Sequence, residues 1–193
     1  MTGIAAHNQT TLELITIFRE KAELVGTVVD HVRSTNEAAL VIAAAGESVA
    51  AFAAVVSAEL TVAAPGLIAA LRDAGIETSV PADAAEGLDH PLGLSLARRA
   101  VAETGSVLLS EPDLPDRSTA LVTDFNITVC RTADLVRSLD DIVADLRTVA
   151  TRSRGGYTTL VTGPSRTADI EMSLTVGVQG PARLLVLFVD ELS

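Results

Sequence analysis

The densest concentration of reactive side chains is the run Thr162-Gly163-Pro164-Ser165-Arg166-Thr167-Ala168-Asp169-Ile170-Glu171. It follows a β-rich stretch at 158–161, and ligands of open α/β sheets bind just beyond the carboxyl ends of strands. A Gly-Pro turn in that place frees backbone N–H groups. Ser165, Arg166 and Thr167 add donors, a set suited to a carboxylate or a phosphate. Asp169 and Glu171 are the catalytic candidates of the segment: either can orient the arginine or accept a hydrogen bond from a hydroxyl. A capped turn whose hydroxyls satisfy the local backbone accounts for the same residues equally well.

Two further segments are candidates to face the first. Val176-Gly177-Val178-Gln179-Gly180-Pro181 has the composition of a tight loop that approaches something closely, or of an ordinary connection. Ala102-Glu103-Thr104-Gly105-Ser106 puts a carboxylate beside a glycine turn into a strand, where Glu103 can act as base or nucleophile. A solvated glutamate in a last helical turn, with Gly105 just past it, is the plainer alternative. Arg152, Arg154 and Tyr157 surround Gly155-Gly156 and read as an anion site or as a flexible loop.

His7, His31 and His90 are scattered without ligand spacing, so no metal site is predicted. No G-x-S-x-G, G-x-G-x-x-G or Walker A sequence is present, which removes the markers of α/β-hydrolases, nicotinamide dehydrogenases and P-loop enzymes. Cys130, the single cysteine, falls in a predicted strand and reads as a small buried hydrophobe. One thiol falls short of the about four thiolates that an iron–sulfur cluster takes. No iron–sulfur cluster is therefore predicted on this chain and no bound cofactor is marked in it, so any redox centre has to come from a cofactor brought to it or from a partner.

The elements that must position these residues alternate between helix and strand. Leu14, Ile15, Phe18, Ala22 and Val25 recur at helical spacing and predict a helix over 11–24, ended by Gly26. A β-branched segment at 27–32 follows as the first strand. Ser34 and Thr35 offer an N-cap for a helix through Ala45, closed by Gly46. The stretch 48–56 is open to two readings: alanine favours helix, while the valine pair and the βα alternation favour strand. A helix at 64–74 has Pro65 in its first turn, Arg72 in its last and Gly75 just beyond, with a strand at 76–80 after it. The segment 83–92 reads as a loop, 94–104 as a short helix, 106–109 as a strand, 111–117 as an acidic surface connection and 126–131 as a strand. Leu135, Val136, Leu139, Ile142, Val143, Leu146 and Val149 form an apolar stripe opposite Asp140, Asp141, Asp145 and Arg147, the pattern of one amphipathic helix of about four turns. Strands at 158–162 and 184–189 complete the chain, the second apolar without alternation, as in a strand covered on both faces. The alternation predicts an α/β fold, a mostly parallel sheet flanked by helices. A single domain over 1–193 with a helical extension over 1–25 is expected.

Composition sets the outer bounds. Of 193 residues 48% are apolar and 20% charged, which is globular and not disordered. Aromatics make up 3%, so the core must be built from Ala, Val, Leu and Ile. The formal net charge of −11 repels phosphate backbones and argues against nucleic acid as a partner. It leaves room for a small anion held by a local arginine or a helix N-terminus. Residues 1–11 lack the basic and apolar regions of a signal peptide. Gly46, Glu47, Glu59, Pro65 and Gly66 break the most apolar stretch, 38–71, before it reaches the length of a membrane span. A cytoplasmic protein is expected.

Gly163-Pro-Ser-Arg-Thr-Ala-Asp-Ile-Glu171, followed by Gly177-Val-Gln-Gly-Pro181 and an apolar last strand, resembles the C-terminal signature of the LUD family. Ala102-Glu-Thr-Gly-Ser106 resembles its middle motif, and the order and spacing of the three are similar to its lactate-utilisation members. The resemblance covers most of the chain from about Gly26 and is most specific in the last third. It implies a fold like the NagB/RpiA/CoA-transferase superfamily. It also implies a share in oxidising L-lactate to pyruvate beside iron–sulfur partner proteins that carry the clusters. On that reading Glu103, Asp169 and Glu171 are catalytic, and Thr104, Gly163, Ser165, Arg166, Thr167, Gln179 and Gly180 hold a small anion, lactate-like or phosphate-bearing. One departure stands out: the family's loop commonly reads Gly-Val-His-Gly-Pro, and Gln179 takes the histidine's place. Glutamine keeps hydrogen bonding but does not titrate near neutral pH. The alternatives are an independent CoA-transferase- or isomerase-like enzyme with Glu103 as base or nucleophile, and a scaffold that kept the fold.

Overall fold

The computed structural model describes residues 2–85, 90–111, 113–151, 157–168, 174–176 and 180–193, with side chains for all of these except 2–9, 167–168 and 174–176. In chain order the elements are α1 (Thr2–Leu24), β1 (Val28–Ser34), α2 (Thr35–Glu47), β2 (Ala53–Val56), α3 (Ala58–Ala63), α4 (Pro65–Asp73), β3 (Glu77–Ser79), β4 (Leu92–Leu96), β5 (Arg99–Val101), β6 (Ser106–Leu109), α5 (Leu114–Leu121), β7 (Phe125–Arg131), β8 (Leu135–Val136), α6 (Val143–Ala150), β9 (Thr159–Val161), β10 (Arg166–Ala168), β11 (Leu174–Val176) and β12 (Arg183–Glu191). Short 3-10 helices lie at Thr132–Asp134 and Leu139–Ile142. Among the described residues no helix is long and apolar enough to cross a membrane.

The main sheet is parallel throughout, in the order β1-β12-β7-β4-β2-β3. This is the α/β architecture that the alternation predicts. β12 lies inside it and is buried on both faces: residues 184–189 are at most 4% exposed. Its Leu185, Leu187 and Val189 enter one core, where α2, α3 and α4 supply Ala38, Ile42, Leu60, Leu67 and Leu71. Its Leu184, Val186 and Phe188 enter a second core, covered by Ile15, Phe18 and Ala22 of α1 and by a four-stranded sheet, β8-β5-β6-β9. Phe18 meets Phe188 edge-on, with ring centroids 5.1 Å apart. With so few aromatics, this pair, Phe125 and the Leu, Ile, Val and Ala side chains fill the interior.

Local chemistry sets several boundaries as expected. The Ser34 side chain accepts from Glu37 N and starts α2. Pro65 opens α4, and Gly75 follows its end with φ +85°. Other boundaries differ. α1 begins at Thr2, well before the predicted 11, and α2 runs through Gly46, whose missing Cβ leaves room for the carbonyl of Ala51. The stretch 48–56 resolves as turn and strand, β2 starting at Ala53.

Three expectations fail for identifiable reasons. The predicted helix at 94–104 is instead the end of β4, a turn and β5: Leu92, Leu94 and Leu96 alternate with Gly93 and Ser95, a period of two that points every second residue into the first core. The predicted surface connection at 111–117 contains the start of α5, and its Glu111 and Asp116 are buried. The stripe at 135–149 is not one helix. Leu135–Val136 pairs with β5 as strand β8, and Ser138 with Asp141 forms a capping box that starts the structure anew before α6.

Candidate functional site

The last turn of α1 is the meeting point of the sequence motifs. The chain leaves the helix through Val25 N–H to Ala22 O (3.2 Å), Gly26 N–H to Glu23 O (3.0 Å) and Thr27 N–H to Ala22 O (3.0 Å). Gly26 takes φ +87°, the left-handed conformation of a helix-ending glycine. Gly105, from the middle motif, abuts this turn so closely that a Cβ would lie 2.5 Å from Ala22 N. Gly163, from the Gly-Pro turn, abuts it one turn further on, where a Cβ would lie 2.9 Å from Val25 Cγ2. The guanidinium of Arg166 lies over Gly26 itself: a Cβ there would be 2.6 Å from Nη2.

Strand pairing holds the two motifs side by side. β6 runs antiparallel to β9, so Ser106, which starts β6, reaches Thr162, which follows β9, with an Oγ–Oγ1 separation of 2.6 Å. The C-terminal loop closes from the other side: Ser165 N–H donates to Pro181 O at 2.9 Å, and a Cβ on Gly180 would touch Ser165 Cβ at 3.1 Å. Gly163, Ser165, Arg166 and Gly180 are thus gathered at one place. Thr104 stands beside Gly105 with its Oγ1 buried and unpartnered among the described residues. Thr167 is placed by its backbone in β10, which pairs antiparallel with β11. Asp169, Glu171 and Gln179 lie outside the described residues, as do Arg152 and Arg154.

Glu103 has a structural engagement. Its backbone N–H donates to Arg137 O (3.0 Å), and its Oε1 accepts from Leu139 N (2.7 Å), at the start of the 3-10 helix that precedes α6. The carboxylate is solvent-exposed and anchors that helix to the turn after β5.

The location corrects one premise. The Gly-Pro turn follows a strand of the four-stranded sheet, not of the parallel one. Through Gly26 and Pro181, which precede β1 and β12, it sits by the amino ends of the parallel strands. A cavity of about 250 Å³ opens there, lined by Gly26, Val28, Ser48, Phe125, Ala182, Arg183 and Leu184. Its walls are largely apolar, and it shares Gly26 with the Arg166 contact. Arg183 was not among the expected site residues. Its signal was a lone cation two residues past Gly180-Pro181, at the entry to β12. Neither Arg166 nor Arg183 meets a carboxylate among the described residues. In a chain of net charge −11, Arg183 at this cavity and Arg166 against its Gly26 are cations of the kind that hold a small anion.

A larger cavity, about 420 Å³, lies at the opposite, carboxyl end of β1 and β12. Its lining of Ser34, Thr35, Asn36, Gly66, Glu191, Leu192 and Ser193 contains no cation, and Thr35 is engaged by the last residues of the chain: its Oγ1 donates to Glu191 O (3.0 Å) and accepts from Ser193 N (3.0 Å). Among the described residues no three His, Cys, Asp or Glu side chains converge as for a metal. Cys130 is fully buried, and burial pushes its thiol well above the ordinary range, so it is held as an inert neutral group.

The sequence pattern of the LUD domain matches residues 15–189. Among curated proteins, the chain is 30% identical over 102 residues to lactate utilization protein C of Halalkalibacterium halodurans, a match covering 52% of this chain and 44% of that protein. It is 35% identical over 91 residues to lactate utilization protein C of Deinococcus radiodurans, covering 47% and 42%. It is also 26% identical over 117 residues to the uncharacterized protein YkgG of Escherichia coli, covering 58% and 51%. The matches thus span about half the length of these relatives. Among solved structures, a DUF162 family protein from Deinococcus radiodurans superposes with a TM-score of 0.61 at 22% identity, over 93% of this chain and 98% of that one, a likeness of fold. With the family pattern running through both cores and all three motifs, this chain belongs to the LUD-domain family.

Proposed function

We propose that this chain is the small-anion-binding subunit of an L-lactate utilisation system. The observation that carries the reading is Arg183 on the wall of a cavity of about 250 Å³ whose Gly26 also lies against the guanidinium of Arg166, neither arginine meeting a carboxylate among the described residues. That volume is below the roughly 300–1,000 Å³ of drug-sized sites and suits a ligand of few atoms, such as a hydroxy or keto acid. The names of the relatives point to lactate.

In the proposed role the carboxylate of L-lactate is held by the arginines, and the apolar wall formed by Val28, Phe125 and Leu184 receives the methyl group. Oxidation of lactate to pyruvate releases two electrons and two protons. The acceptor of those electrons would be iron–sulfur clusters held by partner proteins, since one buried thiol falls short of the about four thiolates that a cluster takes. Glu103 is assigned a positioning role through its bond to Leu139 N, and Asp169 and Glu171 remain the proposed acid–base groups.

The test is reconstitution of the complete system with and without this chain. Lactate oxidation should require it and should be lost with the double variant Arg166→Ala/Arg183→Ala. Undiminished oxidation with the chain omitted would sink the proposal.

A further inference from the structure

Helix α5 lies on the main sheet with a polar underside. Its Asp116, Ser118 and Thr119 are at most 6% exposed, and the strand surface beneath is polar as well. Ser95 Oγ donates to Asn126 Oδ1 (3.0 Å), Thr128 Oγ1 donates to the same oxygen (2.9 Å), and Asn126 Nδ2 reaches up to Thr119 O (3.1 Å). Beneath the helix, a Cβ on Gly93 would lie 2.4 Å from Thr119 O. Parallel sheets normally bury apolar faces, so a polar floor matched to a polar cover is a seam of a different kind. The first turn of α5 reaches the carboxyl end of β2, where Asp116 Oδ1 accepts from Ala58 N (2.8 Å). That is where strand order reverses, with β3 on one side of β2 and β4 on the other, the position at which open sheets leave a crevice.

Glu111 stands just before the cap of α5, at the exit from β6. It is 3% exposed, and neither carboxyl oxygen has a hydrogen-bond partner among the described residues. The groups facing it are Glu59 of α3 and Asp116 and Arg117 of α5. Arg117 is drawn aside, its guanidinium 4.4 Å over the ring of Tyr157, and its Nε is itself unpartnered. Asp113, the cap residue, points to solvent. An ionised Glu111 in this place is shielded from solvent, meets no donor among the described residues and faces the like charges of Asp116 and Glu59 against the single opposing charge of Arg117.

We propose that Glu111 is the latch of a lid: with its proton on, α5 lies closed over the Ser95–Asn126–Thr128 floor, and loss of that proton lets α5 swing open. Burial first, and then the charges of Asp116 and Glu59 against the weaker opposing charge of Arg117, push the carboxyl from its ordinary 4.5 up to about 8. When α5 opens, the carboxyl regains water and ionises near its ordinary value. The closed form thus holds a proton that the open form lacks. Each pH unit between these two values multiplies the opening constant by about ten, and outside them opening is independent of pH.

Hydrogen exchange of wild type and Glu111→Gln from about pH 5 to about pH 9, corrected for intrinsic exchange rates, reads this directly. In wild type, protection of 114–121 should fall roughly tenfold per pH unit up to about 8 and then level off. In Glu111→Gln it should stay flat, while strands β7 and β12 stay protected in both. Equal slopes in the two proteins, a flat wild-type profile, or loss of the central strands in step with α5 would each overturn the latch. Should the variant not fold, carboxyl-labelled glutamate in wild type decides: a resonance titrating near 8 supports the latch, and titration of every glutamate at ordinary values overturns it.

Discussion

The guanidinium of Arg166 and the backbone of Gly26 share a space in which one added methyl group would come within 2.6 Å of Nη2. The glycines with positive φ make a graded experiment of such contacts. Gly75 has φ +85° and open space around it, so Gly75→Ala should cost only the left-handed strain, about 1 kcal/mol. Gly26→Ala adds a contact with the flexible end of an arginine, which can move. It should be only slightly less stable than Gly75→Ala, yet bind small carboxylates roughly tenfold more weakly because the cation is displaced. Gly105→Ala meets the backbone of Ala22 at 2.5 Å, which cannot move, and should cost about 2–5 kcal/mol. Denaturant melts of the three variants with one carboxylate titration check the order. Equal anion binding by Gly26→Ala and Gly75→Ala would separate Arg166 from the site.

At the scale of elements, the signals that could be read in sequence were the local ones. Ser34 before α2, Pro65 and Gly75 around α4, and the unbroken apolar run of β12 each act within a few residues, so their boundaries were legible. What was not legible depends on partners distant in sequence. Leu94 and Leu96 look helical among their alanine neighbours, and Leu92 looks like the end of a loop, until β2 and β7 take all three as a strand, and Leu135–Val136 becomes a strand because β5 is there to pair with it. The motifs around Gly105, Gly163 and Gly180 were visible as a set. Their common anchor, the last turn of α1, was not, because a glycine's sequence neighbours do not reveal which backbone will lie against it. Arg183 was missed for the same reason: only the fold brings it to Gly26. Glu103 gives an element-level test. Its carboxylate holds Leu139 N, and a glutamine oxygen can accept the same bond. Glu103→Gln should therefore keep stability and reconstituted activity, while Glu103→Ala should lose about 1–2 kcal/mol as the 3-10 helix comes free. Activity lost in the Gln variant with stability intact would make Glu103 a reacting group instead.

At the scale of the whole molecule, two opposite linkages bracket its pH stability. Burial disfavours the charge on Asp145, but its hydrogen bonds and charge pairing with Arg99 and Arg98 outweigh that and hold its pKa below the ordinary value. Its contribution is present above the ordinary carboxylate range and is lost as pH falls through the depressed folded value. Glu111 has the reverse sign: its folded pKa is raised to about 8, so stability is full below about 4.5, declines as pH rises to about 8, and is level beyond. Stability should peak in mildly acid solution, near pH 5, and Glu111→Gln should flatten the alkaline side of the curve; denaturant melts across pH show both. The proposed anion site rests on the same whole-molecule electrostatics: against a net charge of −11 it relies on Arg183 at the cavity and Arg166 over Gly26. The most direct measurement is therefore a thermal-shift titration with L-lactate and pyruvate on wild type, Arg166→Ala and Arg183→Ala. At about 100 times its dissociation constant a ligand adds roughly 2.7 kcal/mol, a rise of about 5–10 °C for a chain of this length, and each arginine variant should lose most of it. The same rise in both variants, or no rise in wild type, would contradict an anion site at the α1 turn.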